Sequence, residues 1–150
     1  MCKEAQIGRP KPVNPLKLFL VEDSAVIRAS LIATLEELAP VRIVDTAEDE
    51  HHAVEWMRDP KHEFDLAIVD IQLHSGTGFG VIRAASSLDR RHKTVVLTNY
   101  ATPSVRLKCL SLGADRVFDK SNDIDSLLEY CNALASGHSS ATMPLPLSPS

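Results

Sequence analysis

The 150-residue chain has 16 basic and 20 acidic side chains, a formal net charge of −4, 44% hydrophobic and only 5% aromatic residues. That length fits one ordinary globular domain and leaves no room for a second; no run approaches the ~20 apolar residues of a membrane span, and the Met-Cys-Lys-Glu start lacks the apolar core of a signal peptide. Mild acidity argues against a nucleic-acid surface, which clusters Lys and Arg, and Cys2, Cys109 and Cys131 show neither an even count nor metal-type spacing, so a reducing, cytoplasmic setting is expected.

Proline marks the ends. Residues 1–15 hold Pro10, Pro12 and Pro15, and residues 136–150 hold Pro144, Pro146 and Pro149; neither stretch builds an apolar face, so both are expected to be disordered tails around a domain at 16–135. Within it, the runs Leu18–Val21, Val41–Val44, Leu66–Val69, Val95–Leu97 and Val117-Phe118 are short and rich in β-branched residues. They do not alternate with polar residues, which predicts strands buried on both faces of a parallel sheet.

Helical patterns lie between and after these runs. Ile27, Leu31, Leu35 and Leu38 draw an apolar stripe after the first strand, with Ser24 as its cap. A less regular helix is expected at about Asp49–Arg58, with Trp56 partly exposed. Pro103 suits the first turn of another helix and Gly113 its end. Ile124, Leu127, Leu128, Cys131 and Leu134 form the last stripe, for which Ser121 offers a cap. Cys109 and Cys131 sit on these stripes as small buried hydrophobes. The fold class is therefore α/β, a (βα)5 doubly wound five-stranded parallel sheet with right-handed crossovers.

In such a sheet, ligands bind beyond the carboxyl ends of the strands. The first strand ends in Glu22-Asp23, the third in Asp70, the fourth in Thr98 and the fifth in Lys120. Each alone has an ordinary explanation: Asp70 as a turn or cap residue, Glu22-Asp23 as helix-start acids, Thr98 as a strand former, Lys120 as a surface charge. Converging from four places in the chain, they form a chemical set. Clustered carboxylates need a compensating cation, and all-oxygen ligands suit Mg2+ with room left for phosphate. A carboxylate beside a divalent ion can attack phosphorus to give an aspartyl phosphate, with a lysine neutralising the developing charge. Two other motifs carry less. Gly76-Thr77-Gly78-Phe79-Gly80 follows the third strand and lacks the full G-x-G-x-x-G, which reads as a flexible loop. His51 and His52 diverge by about 100° on a helix, which reads as a solvated face.

Leu20–Ser24, Leu66–Leu73, Val96–Thr98 and Phe118–Ser121, with Gly78 and Leu112–Asp115, resemble the signature blocks of the receiver domain of two-component response regulators. The resemblance spans Leu16 to about Ala135 and implies a flavodoxin-like fold of strand order 2-1-3-4-5. It implies that Asp70 is the phosphoacceptor, and that Glu22, Asp23, Asp70 and the backbone carbonyl of Gln72 hold Mg2+. Thr98 is then the switch hydroxyl and Lys120 the phosphoryl partner. It also implies a histidine kinase or phosphotransfer protein as donor, and a downstream protein bound through the fourth helix, fifth strand and fifth helix. Direct nucleic-acid or membrane contact is not implied, and a monomer or weak dimer is.

Four positions depart from the family pattern. His74 and Ser121 stand where proline is frequent, Asn99 where a small residue is common, and Val117 where an aromatic side chain often moves with the threonine. Tyr100 or Phe118 would have to respond in its place. The expectation is a stand-alone response regulator phosphorylated on Asp70, with self-phosphorylation and autodephosphorylation as its only chemistry. The alternative is a receiver-like interaction module that signals without phosphorylation. A metal-dependent phosphatase is a third reading, opposed by the absence of D-x-D after the first strand.

Overall fold

A computed structural model describes residues 14–139. In chain order it contains β1 (Leu16–Val21), α1 (Ala25–Leu38), β2 (Val41–Ala47), α2 (Glu50–Arg58), β3 (Leu66–Val69), α3 (Gly78–Ser86), β4 (Lys93–Thr98), α4 (Pro103–Leu112), β5 (Arg116–Asp119) and α5 (Ile124–Ser139). The strands form one parallel sheet in the order β2-β1-β3-β4-β5. Both the doubly wound fold and the strand order agree with the sequence reading.

Period-two geometry sorts each strand between two cores. Leu16, Leu18 and Leu20 of β1 join Leu66, Ile68, Val95, Leu97 and Phe118 beneath α1 and α5. Phe19, Val21, Ala67, Val69 and Val96 face α2, α3 and α4. On that side Trp56 stacks on Phe19 at 4.1 Å between ring centroids and on His62 at 4.4 Å. Trp56 is half-buried, as expected, and Cys109 and Cys131 are buried.

Several expectations require correction. Burial on both faces holds for β1, β3 and β4 but not for β2 and β5, the sheet edges, where residues such as Arg42, Asp45 and Arg116 are exposed. On α1 burial along the stripe is uneven: Leu35 is buried while Leu38, on the same face in the last turn, is 44% exposed. The buried contact at that end comes from Ala39, just past the helix. α2 is clearly one-sided, with Ala53 and Met57 buried and Asp49 as its cap. Ser24, Pro103 and Gly113 take their expected places at α1 and α4, Gly113 with φ 116°.

Ser121 does not cap α5. The helix starts at Ile124, and Asp123 precedes it, accepting the Asp119 amide at 2.9 Å while its carbonyl takes the Leu127 amide. Asp119 in turn accepts the Ser121 amide. α5 continues to Ser139, so the boundary expected at 135 falls inside a helix. The remainder of both expected tails, residues 1–13 and 140–150, lies outside the described residues.

The uneven burial along α1 is testable by urea denaturation: Leu35→Ala should cost about 3 kcal/mol, in the range for a buried leucine, and Leu38→Ala no more than about 0.5 kcal/mol.

Candidate functional site

Three strand ends make the site. The Glu22 amide donates to Ala47 at 3.0 Å and the Asp70 amide to Val21 at 3.0 Å, which extends the sheet hydrogen bonding just past β1 and β3. The Lys120 amide donates to the Thr98 carbonyl at 3.0 Å, doing the same for β5 beside β4. Backbone ladders thus bring Glu22, Asp70 and Lys120 to one edge.

Their side chains meet there. Lys120 Nζ lies 2.7 Å from Glu22 Oε1 and 2.8 Å from Asp70 Oδ2. Glu22 is 2% exposed and Asp70 7%. The remaining carboxylate oxygens also have donors: Glu22 Oε2 accepts the Ser24 amide at 3.1 Å, and Asp70 Oδ1 accepts the Gln72 amide at 3.3 Å. Ligand-capable oxygens of Glu22, Asp23 and Asp70 all lie within 4.8 Å of one another. Among the described residues this is the sole cluster of that kind.

Burial sets the local acidities. Desolvation pushes the Glu22 carboxyl above its usual range, and the hydrogen bond from Lys120 only partly opposes it. At Lys120 desolvation disfavours the charged form, but Asp70 and Glu22 override it and hold the ammonium above its ordinary value. Burial raises Glu22 and the two carboxylates raise Lys120, so the triad is held by mutual compensation.

The other sequence-selected residues divide. Gln72, Asn99 and Tyr100 line the same cleft as Glu22, Asp23, Asp70 and Lys120. Thr98 is fully buried at the end of β4, its hydroxyl accepting the Tyr100 amide at 3.2 Å. Val117 lies away from the cleft, packed beside Ile82, Val96 and Cys109. Its carbonyl accepts Arg106 Nη1 at 3.1 Å, and Arg106 also reaches the Ala101 carbonyl and the Asp123 carboxylate.

The glycine-rich segment is not the flexible loop expected. Gly78 opens α3 and approaches the Asp70 backbone so closely that a Cβ would overlap the Asp70 carbonyl. Gln72 and Thr77 form an antiparallel bridge across the turn. Two residues with roles here escaped the sequence reading. Arg28 donates to the Glu22 carbonyl at 2.7 Å from the first turn of α1, and Glu50 accepts the Thr77 amide at 2.9 Å. Neither carried a local signal, since each reaches its partner through the folded loops.

With this geometry in place, a family model for the response regulator receiver domain matches residues 18–132. The chain belongs to the response regulator receiver family. It is 31% identical over 134 residues to the transcriptional regulatory protein PhoP of Escherichia coli K12, covering 87% of this chain and 58% of PhoP. The chain spans about half to three-fifths of the length of the curated relatives it matches, from 51% to 60%. In fold it is similar to a LuxR-family two-component response regulator from Aurantimonas sp. SI85-9A1, at TM-score 0.73 and 22% identity, covering 83% of this chain and 87% of that one. A Burkholderia pseudomallei response regulator, solved with a phosphorylated aspartic acid, calcium ion and citrate, has TM-score 0.68 and 20% identity, covering 88% of this chain and 77% of that one.

As a receiver domain, the chain is a signalling module of a two-component system. Its His51-His52 pair lies on an exposed face: His51 pairs with Glu55 at 3.6 Å, and His52 with Asp49 at 2.9 Å.

Two predictions come from these charges. Lys120→Met leaves two buried carboxylates without their ammonium, so stability at neutral pH should fall by about 3 kcal/mol in urea denaturation. The Asp49 hydrogen bond raises the His52 pKa from 6.5, so the stability this pair adds is present below the unfolded value and lost as pH rises through the folded one. NMR titration should place His52 above 6.5, and Asp49→Ala should bring it back down.

Proposed function

We propose that Asp70 accepts a phosphoryl group from the phosphohistidine of a histidine kinase or phosphotransfer protein, in a Mg2+-dependent reaction in the cytoplasm. The observation that carries this reading is the joint arrangement at one cleft: Asp70 2.8 Å from Lys120, with Glu22 and Asp23 completing an oxygen cluster. A structural ion pair needs one carboxylate per ammonium, whereas here two carboxylates share one lysine and a third, Asp23, stands beside them.

The residues fit a hard divalent cation. Every candidate ligand is oxygen, the carboxylates are close, and burial of Glu22 leaves its charge poorly solvated. Glu22, Asp23, Asp70 and the Gln72 backbone carbonyl are the groups that would hold Mg2+, which when bound supplies charge neutralisation for the phosphoryl oxygens. The chain's own residues do the rest. An Asp70 carboxylate oxygen forms the new bond to phosphorus as the phosphorus–nitrogen bond breaks, the bonding pair returning to the donor imidazole. Lys120, already bonded to Asp70, is placed to pair with the transferred group. Thr98 accepts from Tyr100 and keeps its own proton, so its hydroxyl can donate to a phosphoryl oxygen.

Phosphorylation then biases two conformational populations. Thr98 connects through the loop to α4, and Arg106 ties that loop to β5 and the start of α5. A downstream protein reading this face would meet Leu107, 70% exposed, and Leu110, 48% exposed, on α4.

Intact mass should increase by one phosphoryl group when the chain is incubated with a small phosphodonor and Mg2+. It should stay unchanged without Mg2+ or in Asp70→Asn. Equal modification of Asp70→Asn, or none in the unaltered chain, would sink the proposal in favour of an interaction module that works without phosphorylation.

A further inference from the structure

Glu50 sits at the start of α2, on a different element from every residue of the phosphoacceptor cleft, yet it is built into the turn that follows Asp70. Its amide donates to the Ser75 carbonyl at 3.1 Å and its Oε1 accepts the Thr77 amide at 2.9 Å. The turn has been cleared of side chains around it. A Cβ on Gly76 would lie 2.5 Å from the Glu50 Cβ and 2.7 Å from Oε1, and a Cβ on Gly80 would overlap Oε2. Gly76 also takes a φ of 78°, which glycine adopts without strain. Two glycines four residues apart, one before α3 and one in its first turn, thus form a slot for one carboxylate.

The slot leads back to the cleft. Thr77, held by Glu50, bridges to Gln72, and the Gln72 amide donates to Asp70 Oδ1 at 3.3 Å. Thr77 also caps α3, its hydroxyl accepting the Gly80 amide. We propose that Glu50 is a positioning residue for divalent-cation binding: wedged between Gly76 and Gly80, it fixes Thr77 and through the bridge sets the backbone of Gln72. This deepens the phosphoacceptor reading and rests on it, since it assigns a function to the Gln72 carbonyl. The glycine-rich segment is then a receptor for a carboxylate from α2 and not a cradle for phosphate.

Mg2+ affinity of the full chain, measured by calorimetric titration beside the Gln72 and Thr77 amide shifts, tests it. Glu50→Ala should weaken Mg2+ by about tenfold, the low end for a partner that orients a ligand, and shift the Gln72 amide before any metal is added. Glu50→Gln retains an Oε1 acceptor and should stay within about threefold. Gly80→Ala favours the α3 helix but displaces the carboxylate, so it should weaken Mg2+ as Glu50→Ala does while leaving the fold intact. Unchanged affinity in Glu50→Ala or in Gly80→Ala overturns the inference. So does an equal loss in Glu50→Gln and Glu50→Ala, which would assign the effect to charge alone. If the unaltered chain binds no Mg2+, the phosphoacceptor reading itself fails, a result distinct from either.

Discussion

One lysine bridging two buried carboxylates organises the carboxyl edge of the sheet. Lys120 leaves the end of β5, while Glu22 and Asp70 leave β1 and β3, and β4 lies between β3 and β5. The ammonium therefore crosses the end of β4 to reach its partners, and Thr98 at that strand end is fully buried. A long flexible stem with a compact charge suits such a crossing better than a planar guanidinium. The contact also couples elements far apart in sequence, so strand order becomes a requirement of the site as well as a property of the fold.

The same interaction explains the reactivity inferred for the cleft. Charges removed from water are costly unless paired, and here a single ammonium is shared between carboxylates whose neighbour Asp23 adds another negative group. Burial keeps Glu22 above its ordinary acidity range while the carboxylates keep Lys120 protonated. A site with excess negative charge and oxygen donors favours a hard cation, and a bound anion such as phosphate gains from the lysine beside it. Backbone donors from Ser24 and Gln72 occupy the remaining carboxylate oxygens and limit how far either side chain can turn away.

The sheet supplies the rigidity this arrangement needs. β1 and β3 are buried on both faces, each clamped between the α1/α5 core and the core under α2 and α3. Groups at their ends are thus placed by packed backbone, with the turns after them adjusting the detail. The face beyond Thr98 is built differently: Val117 is aliphatic, and Arg106 joins the Ala101 carbonyl, the Val117 carbonyl and Asp123. Beside Val117, where the family often has an aromatic side chain, a guanidinium network spans the loop, strand and helix start.

Much was legible in the sequence by itself. Short β-branched runs alternating with apolar stripes determined the α/β class, because strand and helix periods differ. The polar residues ending those runs, Glu22, Asp23, Asp70, Thr98 and Lys120, were expected at one sheet edge, and the folded strands bring them there. Other features were decided only by tertiary structure. The exposure of β2 and β5 depends on which strands finish at the sheet edges, and that of Leu38 on what packs against the last turn of α1. Ser121 yielded the start of α5 to Asp123 because the chain turns through a local hydrogen-bonded loop first. Glu50 had no sequence signature, and Gly76 and Gly80 stood out only as part of a glycine-rich loop, since their relation to Glu50 exists only once α2 packs beside α3. Local pattern reports what a residue can do along its own element; which distant backbone it meets is settled by packing.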